Sequence, residues 1–75
     1  MKKIGVYFKT NYYSNNFKNE NVVYNYNAKK IEITEVKLVE VDKNYLHIVY
    51  KTDEYKTGEN EYNFDMKYVE SYYIF

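Results

Sequence analysis

The sequence predicts an all-β fold of five or six antiparallel strands, curled into a small barrel or a strongly twisted sheet. Three observations predict it. Apolar and polar residues alternate at period two in several stretches, which puts them on opposite faces of a strand. Turn-forming Asn, Asp and Gly separate those stretches. Twelve Tyr and four Phe, with no Trp and no Pro, supply large rings whose hydroxyls favour the rim of a core.

The elements follow in order. Ile4, Val6 and Phe8 alternate with Lys3, Gly5, Tyr7 and Lys9, which predicts a first strand. TNYYSNNFKNEN carries five Asn in twelve residues and reads as a long loop. Loops near this length are usually functional or disordered. Val22, Tyr24 and Tyr26 alternate with Asn25 and Asn27 and predict a second strand. In KIEITEVKLVEVD the apolar phase slips near Thr34–Glu35 and again at Leu38–Val39. One flat strand cannot bury Ile31, Ile33, Val36, Leu38, Val39 and Val41 together, so a β-bulge or a strong bend is expected. A helix is the rival reading there.

Asp42-Lys43-Asn44 predicts a hairpin turn into the strand YLHIVYK, and KTGEN supplies the next turn through Gly58. In EYNFDMKYVESYYIF, Tyr62, Phe64, Met66 and Tyr68 share one strand face and are expected in the core. Glu61, Asn63, Asp65 and Lys67 share the other. The strand is expected to run to about residue 69, followed by a bend and a short final strand. The alternative is an α+β fold with a C-terminal helix from about residue 65. The apolar tail YYIF would be an open edge unless it closed a barrel, paired with a second copy in a homodimer, or joined a partner's sheet.

Seventy-five residues make a single domain that buries only about 60% of its unfolded surface. No Cys is present, so neither a disulfide nor Cys-ligated metal supports it. The net charge is zero. However, residues 1–30 hold six Lys and one Glu, whereas residues 31–75 hold five Lys and ten acids. No Arg occurs, which argues against bidentate reading of phosphates and bases. The start MKKIGVYFK is too short in apolar run for a signal peptide, and nothing approaches the roughly 20 apolar residues of a membrane span. A cytoplasmic location is expected. The abundance of Lys, Asn, Tyr and Ile fits an AT-rich genome, that of a bacterium or its phage.

No catalytic constellation assembles, and the expectation is a non-enzyme without cofactor or metal. His47, the one His, reads as a rim residue of a sheet. Ser14 and Ser71 have no neighbouring base or glycine elbow. DEYKTGENEYNF matches a calcium loop only at Asp53 and Gly58, with Tyr55 and Phe64 where ligands belong. The remaining chemistry is that of binding. Tyr12, Tyr13 and Phe17 in the Asn-rich loop pair rigid rings with adaptable amides, a composition suited to protein recognition. Asp53, Glu54, Glu59 and Glu61 offer an acidic surface for a basic target, such as the groove of a nucleic-acid enzyme.

In its small size, lack of Cys, AT-rich composition and wealth of Tyr and acids, the chain resembles phage-encoded inhibitors of bacterial defence, the anti-CRISPR proteins. That resemblance is one of general character across the whole chain, not of a motif, and it carries no residue roles. It implies a partner protein, a host nuclease or defence complex, whose binding surface is occluded. The net charge of zero departs from fully acidic DNA mimics and leaves a local acidic patch. Two alternatives stand beside it. KIGVYF resembles in part the aromatic strand of cold-shock barrels, with Lys2, Lys3, Lys9, Lys18, Lys29 and Lys30 as a groove for nucleic acid and Tyr7, Tyr12, Tyr13 and Phe17 as stacking rings. The charge balance disfavours it. The other is a structural subunit associating through YYIF.

Overall fold

The computed structural model describes residues 2–10, 21–53 and 56–75. Six strands form there: β1 (Lys2–Phe8), β2 (Val22–Asn25), β3 (Lys30–Val41), β4 (Tyr45–Lys51), β5 (Glu59–Asp65) and β6 (Val69–Ile74). All pair antiparallel in one sheet of order β5-β4-β3-β1-β6, with β2 also on β3. β2 lies beside Lys30–Ile33 and β4 beside Val36–Val41, on the edge of β3 that faces away from β1. The fold is therefore all-β, as the alternation predicts.

One long strand can serve both neighbours because it changes phase midway. Glu35 adopts a positive φ of 61°. The register with β1 jumps between Ile33 and Val36, and that with β4 between Val36 and Leu38. These irregularities keep Ile31, Ile33 and Val36 buried together while turning Leu38 and Glu40 outward. The second slip falls at Lys37, slightly earlier than the apolar pattern places it. No helix forms in this segment.

The turns have local causes. Asp42 accepts hydrogen bonds from the backbone N–H groups of Asn44 and Tyr45, at 2.7 and 2.8 Å, closing the β3–β4 hairpin. Gly58 takes φ +72° in the β4–β5 turn, a conformation that favours glycine. The helix from residue 65 is not formed. β5 instead ends at Asp65, and a single 3₁₀ turn, Met66–Tyr68, follows. The Asp65 carboxylate caps it by accepting from the Lys67 N–H. Strand parity is therefore lost four residues earlier than the aromatic pattern implies. Phe64 is fully buried, and Tyr62 and Met66 pack against the core from its margin.

The core gathers Ile4, Val6, Phe8, Val22, Ile31, Ile33, Val36, Leu46, Ile48, Tyr50, Phe64 and Val69. Phe8 of β1 meets Phe64 of β5 edge-on, with ring centroids 5.3 Å apart. β3 and β4 stand between those strands in the sheet, which laid flat would separate them by roughly 14 Å. Contact requires the sheet to curl over its own inner face. The curl stops short of closure, since β5 and β6 do not pair. The molecule is a strongly twisted open sheet rather than a barrel. YYIF lies in and after β6, paired to β1.

Candidate protein-binding face

Two outer surfaces result, one on each half of the sheet. On β3–β4–β5 the outward side chains form a grid set by cross-strand register. Leu38, Val49 and Glu61 make one row, and Glu40, His47 and Asn63 the next. Tyr45 beside Asp65 lies at one end, and Lys51 beside Glu59 at the other. Leu38 and Tyr45 are about half exposed, at 45% and 52%. The face has an apolar centre with a rim of Glu40, Glu59, Glu61 and Asp65 against Lys37 and Lys51. This centre-and-rim anatomy is common at protein interfaces.

His47 links this rim. Its Nε2 stands 2.7 Å from Glu61 Oε2, and its Nδ1 stands 3.5 Å from Glu40 Oε1. The hydrogen bond with Glu61 is the main cause that raises the imidazole pKa above its usual value; partial burial opposes it and Glu40 adds to it. Lys37 pairs with Glu59. Among the described residues no group of His, Cys, Asp and Glu could hold a metal ion. The neighbouring hollow is lined by Glu40, Val41, Asp42, Tyr45, His47 and Asn63.

The other outer surface, on β2–β3–β1–β6, is basic and aromatic. Tyr73 of β6 lies across Gly5, with Tyr7 on one side at 5.9 Å and Phe75 stacked on the other at 4.9 Å. The Lys30 ammonium sits over Tyr7 and Tyr73, at 5.1 and 5.0 Å, and Lys3 over Phe75 at 4.8 Å. Glu32 joins both cations, at 2.7 Å to Lys30 and 3.0 Å to Lys3. That bridge lowers the Glu32 pKa, chiefly through Lys30, and Glu32 in turn raises that of Lys30. The ring faces are thus already occupied by the chain's own cations.

Of the acids singled out in the sequence, Glu59 and Glu61 stand together on the β5 side of the first face. Asp53 is exposed in the β4–β5 connection. Tyr12, Tyr13, Phe17 and Glu54 lie outside the described residues. Sequence reasoning missed Leu38 and Glu40, because the irregularity at Lys37 reverses the parity of everything after it. It also missed the His47–Glu61 pair, which depends on the β4–β5 register. The signal was present in the doubled apolar pair Leu38–Val39.

No helix among the described residues is long and apolar enough to cross a membrane. Compared with models of protein families, with curated proteins and with solved structures, the chain matches none.

Proposed function

We propose that the chain is a non-catalytic protein-binding module that inhibits a bacterial defence or nucleic-acid enzyme by covering a basic surface, as an anti-CRISPR protein does. The site of action would be the cytoplasm of the host bacterium. The observation that carries the reading is the outer face of β3–β4–β5, where the Leu38–Val49 pair stands among Glu40, Glu59 and Glu61, with Tyr45 at the end of the face beside Asp65. Such a face meets a lysine-rich groove with complementary charge and an apolar contact at its centre. Asp53 would extend the rim, and Tyr12, Tyr13, Phe17 and Glu54 complete the proposed contact set.

The test is target-DNA cleavage by purified CRISPR effector nucleases, with the chain added before DNA. Inhibition of an effector is expected, and the double variant Glu59→Lys, Glu61→Lys should lose it. Cleavage unaffected across the effectors, or inhibition indifferent to the charge reversal, would overturn the reading.

The second reading, nucleic-acid binding, draws on the Tyr7–Tyr73–Phe75 row with Lys3 and Lys30. It requires bases to displace ammonium groups from the rings. Retention of labelled single-stranded DNA at moderate salt, lost in Lys3→Glu, Lys30→Glu, would favour it over inhibition by protein contact.

A further inference from the structure

Among the described residues, no strand pairs with the outer edge of β5. In the β4–β5 ladder, Met66 N–H donates to the Asn44 carbonyl at 2.9 Å and Thr52 N–H to the Gly58 carbonyl at 2.9 Å. These two bonds fix the antiparallel phase: the backbones of Asn60, Tyr62 and Phe64 bond to β4, and those of Glu59, Glu61, Asn63 and Asp65 point away from it. The Thr57 hydroxyl serves Glu59, donating to its carbonyl at 3.0 Å. The N–H and C=O groups of Glu61 and Asn63 have no partner among the described residues.

The two outermost edges of the sheet differ. β6 carries a register shift opposite Tyr7 and Phe8, where Glu70 is the extra residue. Such a bulge blunts an edge. β5 pairs without a shift along all seven residues. Its side chains also select what can dock. Glu59, Glu61 and Asp65 stand on the outer face, so two β5 edges brought together antiparallel about Tyr62 would oppose Glu59 to Asp65. That disfavours a second copy. On the inner face Tyr62 is only half buried, stacked at 5.6 Å on both Tyr50 and Phe64. An added strand would therefore place basic residues outward, beside the acids, and apolar residues inward, beside Tyr62.

We infer that the partner is bound by strand addition: an extended protein segment of alternating Lys or Arg and β-branched residues joins the sheet at β5. This rests on the protein-binding reading above and names its mode. The acids that bar self-pairing are the same groups that recognise the basic segment.

The test uses a labelled, acetylated and amidated Lys-Val repeat of eight residues, with a Glu-Val repeat as control. The Lys-Val peptide should bind, the Glu-Val peptide should not, and the amides of Glu61 and Asn63 should gain protection from hydrogen exchange. Asn63→Pro removes an outward N–H without touching the β4 ladder, a position where an edge strand tolerates Pro. It should cut affinity by at least about tenfold, roughly 1.4 kcal/mol, with the far-UV spectrum unchanged. Should that variant fail to fold, the Lys-Val peptide N-methylated at alternate residues gives the same loss with the protein intact. Unchanged binding by Asn63→Pro and by the methylated peptide overturns strand addition. If Glu59→Lys, Glu61→Lys still weakens binding in that case, the acidic face stands and only the mode falls. Absence of Lys-Val binding also overturns strand addition, and the cleavage assay alone then decides the inhibitor reading.

Discussion

The Tyr73 ring lies directly over Gly5, so that a Cβ added at residue 5 would stand 2.5 Å from Tyr73 Cζ. Gly weakens a strand, and an aromatic ring on the neighbouring strand covers the gap it leaves. The same placement brings Tyr73 between Tyr7 and Phe75 and under Lys30. Gly5→Ala should gain about 0.4–1 kcal/mol from a stiffer unfolded chain. It should lose more, about 1–3 kcal/mol, by expelling the ring. A net destabilisation in urea is expected, and Tyr73→Ala should abolish it. A Gly5→Ala cost that persists in the Tyr73→Ala background would show that the ring does not set it.

Glu35 holds φ 61° at the phase change of β3. A side chain there costs roughly 1–2 kcal/mol. Glu35→Gly should raise the urea midpoint or leave it unchanged, whereas Glu35→Val should lower it by at least about 1 kcal/mol, since β-branched residues tolerate positive φ worst. Equal effects of the two substitutions would mean that this backbone geometry is not what the site requires.

Phe64 is fully buried against Phe8 and Tyr62 and joins β5, at one end of the curled sheet, to β1 across the inner face. Phe64→Ala should cost about 3–5 kcal/mol. At roughly 0.05–0.15 kcal/mol per residue, that is a large share of the stability of a chain this short. Val23→Ala, on a side chain 63% exposed, should change it by less than about 0.5 kcal/mol. Urea denaturation of both variants checks the contrast, which fails if Phe64→Ala unfolds no more readily than Val23→Ala.

The strands and the charge division were readable in sequence because both are local. Alternation of Ile4, Val6 and Phe8 needs only a pleat. The two phase slips of β3 announced an irregular strand before any neighbour was known. The split between basic and acidic residues became two separate outer surfaces because β1, β2 and the start of β3 come early in the chain, while β4 and β5 come late. What sequence did not yield depends on pairing. The end of β5 was invisible because Met66 and Tyr68 keep the apolar rhythm, while the turn is fixed by a hydrogen bond from the Lys67 N–H to Asp65. Leu38 and Glu40 reached this face only through a β3–β4 register that the Lys37 irregularity decides, and His47 met Glu61 only through the β4–β5 register. That β5 is outermost among the described strands follows from the strand order, which no single segment encodes.

His47 should make stability depend on pH, with a definite sign. Glu61 at 2.7 Å favours the imidazolium most, Glu40 adds to it, and partial burial opposes both, leaving the pKa raised. Asn63 is its uncharged partner across β5, Tyr45 and Val49 flank it on its own strand face, and Lys51 lies further along that face. A pKa higher in the folded than in the unfolded state means that folding binds a proton. The stabilisation is therefore full below the unfolded value of about 6.5, and it is lost as pH rises through the raised folded value. Urea midpoints of the wild type and His47→Gln, compared from pH 5.5 to 9, should differ most at the acid end and converge at the alkaline end. In NMR titration the imidazole should protonate above its ordinary value, and Glu61→Gln should bring it down. An imidazole that titrates at or below the ordinary value, or a midpoint gap that widens with pH, would show that the Glu61 pair does not hold the proton in solution.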